Sequence, residues 1–117
     1  MTIDYLDQEK TWQLSGKLTE FAEKYLTHRS KAAENKTKFD LVLAARLPVL
    51  REKKSNLGIE TAQIMLLEYQ EKEIVEYYTN WQFHEAQYKG IEKIIEAIQS
   101  KISLSQSLIR NTVKSGG

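Results

Sequence analysis

At 117 residues, with a net charge of +1, one proline and no cysteine, the chain has the size of one domain and a composition that favours helix over sheet. The lack of cysteine excludes a disulfide framework, a thiolate nucleophile and a Cys-based zinc site, and it suits a reducing, cytoplasmic compartment. The start MTIDYLDQEK is acidic and polar, and the longest apolar run, residues 41–45, is far too short to span a bilayer, so neither secretion nor a membrane partner is expected.

The small net charge conceals segregation. Residues 1–28 carry −2, residues 29–54 carry +5, residues 55–88 carry −5 and residues 89–117 carry +3. Alternating blocks of this kind attract polyanions in one place and oppositely charged protein surface in another.

From Leu14 the apolar positions step by three or four through Leu18, Phe21, Tyr25, Ala32, Phe39, Val42 and, beyond Arg46, Val49. That spacing predicts an amphipathic helix over about residues 4–54, helped by the i,i+4 pairs Glu20 with Lys24 and Glu34 with Lys38. Pro48 either ends this helix near Leu47 or kinks it on the way to Lys54, because it lacks an amide proton and restricts the residue before it. Residues 55–58, Ser-Asn-Leu-Gly, then read as a turn.

A second helix is predicted over about residues 60–112, with Gly90 as its weak point for a bend. Its heptad places Leu67, Ile74, Trp81, Tyr88, Ile95, Ile102 and Ile109 at a, and Gln70, Tyr77, His84, Ile91, Ile98, Ser105 and Thr112 at d. Leu66, Val75, Tyr78, Ile94 and Leu108 broaden the stripe beyond a two-stranded seam. The expected fold is therefore one all-α domain, a long helical hairpin with a coiled-coil-like second helix that oligomerises through its C-terminal half. From Ile91 onward the stripe reads as too apolar, and too far from the turn, for the first helix alone to cover. Self-association is accordingly assigned to Tyr88, Ile91, Ile95, Ile98, Ile102 and Ile109.

Catalysis has little to work with, and no enzyme, cofactor or metal site is expected. His84-Glu85 begins like the zinc-protease signature, but Tyr88 stands where the second histidine is needed, so His84 reads as a packed or interface residue. His28 has no partner at a recognisable spacing, and neither a Gly-rich phosphate loop nor a nucleophile elbow is present. The basic block is more informative: Arg29, Lys31, Lys36, Lys38, Arg46, Arg51, Lys53 and Lys54 could neutralise phosphates, or could form a solvated helix face. Arg46 falls on the apolar stripe, where a charge is costly unless it is paired or directed at a ligand, and both readings stand. The aromatics Tyr69, Tyr77, Tyr78, Trp81, Phe83 and Tyr88 lie mainly in the acidic block and on the stripe, which favours core or subunit contact over base stacking.

The segment Leu43-Ala44-Ala45-Arg46-Leu47 follows a basic helix at residues 25–38 and precedes a turn. It resembles the Leu-Lys-Ala-Arg-Leu element of the UvsY-type phage recombination mediators, with Ala44 in place of the family's lysine, so that only Arg46 carries over. The likeness extends by pattern through the acidic, aromatic middle to residues 91–101 and a last amphipathic stretch ending near Arg110. It implies a protein of the host cytoplasm that binds single-stranded DNA, assembles into a ring-like homo-oligomer and helps load a recombinase onto DNA held by single-strand binding protein. On this reading Lys36, Lys38, Arg46, Arg51, Lys53 and Lys54 form the nucleic-acid face. The rival expectation is a coiled-coil structural, scaffolding or inhibitor protein with no nucleic-acid role.

Overall fold

The computed structural model describes the backbone of residues 3–116 and the side chains of residues 9, 10 and 12–111. Among them are three helices and no strand: α1 (Ile3–Lys53), α2 (Ile59–Glu68) and α3 (Lys72–Gly116). The chain forms two compact units, one of Met1–Thr27 with Gln87–Gly117 and one of His28–Ala86. The all-α expectation holds. The d position assigned to Thr112 lies outside the described side chains.

Helix α1 is held locally by the kinds of contact its sequence offers. Lys38 pairs with Glu34 at 3.1 Å and Lys36 with Asp40 at 2.9 Å, while Thr19, Thr27 and Asn35 donate to carbonyls four residues earlier. Lys24 lies over the Phe21 ring, 5.5 Å from its centroid. Pro48 does not end the helix, which continues to Lys53. A proline there removes one helical hydrogen bond, to the carbonyl of exposed Ala44, which water can reach; the packing of Leu43 and Leu50, 5% and 2% exposed, offsets the loss. The packed face runs on unshifted past Pro48 through Phe39, Leu43 and Leu50, all buried, whereas Val49, expected on the stripe, is 53% exposed.

In the His28–Ala86 unit the cation–aromatic and ion pairs Lys36–Trp81, Lys38–Tyr77 and Arg46–Glu71 run in opposite sequence directions, so α1 and α3 are antiparallel here. Their core joins Phe39, Leu43 and Leu50 of α1, Leu57 of the turn, Ala62 and Leu66 of α2, and Ile74 of α3. The turn at residues 55–58 lies where it is expected, and α2 starts from Gly58, whose carbonyl accepts the Ala62 amide at 2.9 Å.

The expected continuous helix over residues 60–112 is instead divided at residues 69–71. Gln70 sits at φ 53°, the left-handed region, and its amide donates to the Leu67 carbonyl at 3.0 Å, closing α2. Residues 70–73 are Gln-Glu-Lys-Glu, so the break falls in a polar stretch that no apolar side chain ties to the core. The break changes the register. Leu66 is fully buried and Leu67 only partly, so α2 packs through Ala62 and Leu66 while α3 resumes the predicted heptad at Ile74.

Beyond Gly90, where α3 runs on helically, the other unit pairs the start of α1 with the end of α3. Tyr25 meets Tyr88 edge to face at 5.8 Å, and Ile91 and Ile98 are buried. Within this unit α1 thus covers Ile91 and Ile98 of α3.

Left-handed conformation costs a residue with a Cβ about 1 kcal/mol that glycine does not lose. Gln70→Gly is expected to raise unfolding free energy by about that amount in urea denaturation. An unchanged or lowered midpoint would mean that Gln70 carries no strain.

Candidate functional site: the cation–aromatic seam and the histidine pair

Four of the six cations assigned to phosphate are engaged within the His28–Ala86 unit. Arg46 Nη1 and Nη2 donate to Glu71 Oε1 and Oε2 at 2.9 and 2.8 Å, a bidentate fork between α1 and the linker ahead of α3. That hydrogen bond, and then the opposite charge, holds the Arg46 pKa above its ordinary value, and the same contact lowers that of Glu71 against partial desolvation. Of the two readings open for Arg46, the geometry is that of a paired arginine. Both side chains stay nearly half exposed, so the pair is within reach of solvent and ions. Beside it an open cleft is lined by Val49, Leu50, Leu66 and Tyr69.

The lysines follow the same pattern. Lys36 binds Asp40 and lies 5.6 Å from the Trp81 ring centroid, and Lys38 binds Glu34 and lies 5.7 Å from that of Tyr77. Lys53 donates to the Tyr69 hydroxyl at 3.1 Å, its Nζ 5.5 Å from the ring centroid. Arg51 and Lys54 are exposed at the end of α1. The basic block at residues 29–54 is therefore folded against the acidic, aromatic block at residues 55–88.

The residues assigned to self-association turn towards α1 of the same chain. Ile91 and Ile98 are buried, and Tyr88, Ile95, Ile102 and Ile109 are half-buried. A second apolar line lies outside them on α3, where Ile94, Leu104 and Leu108 are 42%, 61% and 53% exposed and are spaced, with Ala97, by three, four and seven residues. On α1, Trp12 and Leu26 are likewise exposed. The broadened stripe in the sequence, Ile94 and Leu108 included, is the signal for this face.

Two features were not legible from spacing. A cleft in the Met1–Thr27 and Gln87–Gly117 unit is lined by Lys10, Lys17 and Lys101 with Gln13, Leu14, Leu104 and Ser105, three cations from two helices that are 84 residues apart at the closest pair. His28 and His84, 56 residues apart, meet Nδ1 to Nδ1 at 2.8 Å with ring centroids 5.1 Å apart, and the ring of Phe83 stands edge-on to both.

Burial, then the nearby charges of His28 and Lys31, holds the His84 pKa below the ordinary histidine value. Comparison with protein-family models, with curated proteins and with solved structures gave no match. Among the described residues no helix is long and apolar enough to cross a membrane.

The His84 shift has a sign. The unfolded chain takes up a proton near pH ~6.5 that folded His84 resists, so its contribution is fully present above that pH and declines on acidification towards the folded-state pKa. The charge that acts on His84 besides His28 is Lys31 on α1. The melting temperature is expected to fall between about pH 7 and pH 5, and His84→Gln to flatten that slope. An equal slope in the variant would assign the acid sensitivity elsewhere.

Proposed function

We propose that this chain is a non-enzymatic helical assembly protein that pairs with a second copy of itself through the unit formed by Met1–Thr27 and Gln87–Gly117. The observation that carries this is an imbalance of apolar burial. Among the described residues that unit buries only Ile91 and Ile98, while Trp12, Leu26, Ile94 and Leu104 stay outside; the other unit buries eight apolar side chains. Two helices alone bury too little surface to offset the entropy of ordering them. A second identical pair, related by a two-fold axis, would place four helices around one core and cover both outer faces. The heptad spacing of Ile94, Ala97 and Leu104 suits that packing.

Light scattering on the full chain should give a dimer or a multiple of it. The double variant Ile94→Glu with Leu104→Glu should shift it to monomer while far-ultraviolet circular dichroism retains the helix. A monomeric wild-type chain at tens of micromolar would refute the proposal.

A second reading, a recombination accessory protein that binds single-stranded DNA and assists recombinase loading, draws support from the cleft of Lys10, Lys17 and Lys101. Gln13 and Ser105 add hydrogen-bonding groups there. On this reading the phosphate contacts lie in this cleft and at Arg51 and Lys54, more than at Arg46, whose guanidinium Glu71 occupies. Anisotropy with a labelled oligonucleotide should show binding that weakens steeply with salt. Lys10→Ala, Lys17→Ala and Lys101→Ala together should cost more than Arg46→Ala. Undetectable binding at low salt would remove this reading and leave the assembly proposal standing.

A further inference from the structure

The outer apolar line of α3 carries a cation at its midpoint. Ile94, Ala97, Leu104 and Leu108 are exposed on one face, and Lys101 stands on that same face, seven residues from Ile94 and seven from Leu108. On α1, Lys10 and Lys17 are also seven residues apart, and so share a face, about 10 Å from one another along the helix. The three lysines line one cleft of about 330 Å³ with Leu14, Leu104 and two hydrogen-bonding side chains, Gln13 and Ser105. No carboxylate is among these lining residues. Among the described residues, none of the three lysines has an ion pair, a hydrogen bond or an aromatic ring to meet its charge, unlike Lys36, Lys38 and Lys53 of the other unit.

A charge taken out of water without a partner is costly. In a two-fold pair formed through the outer face of α3, both copies bear that cost. An isologous contact brings the same line from each side, and the line holds no acid to place against Lys101. We propose that the cleft of Lys10, Lys17 and Lys101 binds a short linear oligophosphate, and that the bound anion strengthens pairing by neutralising the cations at the edge of the contact. This rests on the assembly reading. Three ammonium groups spread over two helices favour several charges on one chain over a single small anion, and phosphate oxygens accept from Gln13 and Ser105 as well as from lysine. The cleft has the volume of a small-molecule site. An anion held more tightly by the pair than by the single chain shifts the equilibrium towards the pair by its ratio of affinities.

The test is sedimentation equilibrium of the full chain over a dilution series, in sodium chloride and in sodium tripolyphosphate at equal ionic strength. The dissociation constant of the pair is expected to fall by about ten-fold or more in tripolyphosphate. Calorimetry should show one tripolyphosphate per chain, and Lys10→Gln with Lys17→Gln should weaken that binding by about ten-fold or more. Lys101→Met separates charge from shape: it should tighten the pair in sodium chloride and remove most of the response to tripolyphosphate. Adenosine triphosphate, run in parallel, identifies the source of the phosphates, since a free oligophosphate site responds to both alike and a nucleotide site responds to the nucleotide more. Circular dichroism checks that the variants remain helical, and should one unfold, the comparison of the two salts on the wild-type chain decides alone. A pair equally strong in both salts overturns this inference and leaves the assembly reading standing, whereas a chain monomeric in both removes the two together. A single-stranded oligonucleotide that binds and is not displaced by tripolyphosphate assigns the cleft to DNA and overturns it as well.

Discussion

The His28–Ala86 unit depends on the short interruption at residues 69–71. A helix that continued through Gln70 would carry Leu67, seven residues before Ile74, on the Ile74 line and would turn Ala62 and Leu66 roughly 80–120° away from it, leaving Leu50 and Leu57 with less to pack against. The left-handed Gln70 lets α2 fold as a separate ten-residue piece, so that Leu66, Leu50 and Phe39 all reach full burial in one cluster. The same interruption sets Glu71 opposite Arg46. An apolar core and a charged clasp therefore share one backbone device.

Charge segregation along the sequence takes on a different meaning once the chain is folded. The +5 block and the −5 block lie in the same unit, where Arg46 meets Glu71, and Lys36, Lys38 and Lys53 lie against Trp81, Tyr77 and Tyr69. Surface pairs of this kind each contribute little, but they reduce the field that a basic block would otherwise present. Arg46 with Glu71 is an ion pair that joins the two blocks, Lys36 and Lys38 pair with acids of the basic block itself, and a second set of cations lines a cleft on other stretches of α1 and α3.

Much of the helical layout was legible because it rests on local chemistry and period. The turn at residues 55–58 announces itself through Ser, Asn and Gly, and the heptad from Ile74 to Ile109 names the side chains of α3 that are less exposed. Gln70 was missed because a glutamine at a d position reads as a tolerated polar residue, and an equally polar stretch, residues 34–38, runs on as helix in α1. Leu50 displaced Val49 because Leu and Val stand side by side in the sequence, and only the partner helices decide that the face of Phe39 and Leu43 is the one that packs. Arg46 with Glu71, and His28 with His84, depend on the register between helices, which no spacing within one helix encodes.

The uneven distribution of buried side chains also sets how the folded chain breathes. Amide protons open to exchange by local unfolding whose free energy follows the packing around them. Those of residues 39–81 are guarded by Phe39, Leu50, Leu66 and their neighbours, whereas those of residues 91–109 are guarded chiefly by Ile91 and Ile98. One chain thus holds a slowly exchanging cooperative segment and a rapidly exchanging one, and the second is the segment whose protection would rise with protein concentration if a second copy supplies the missing contacts.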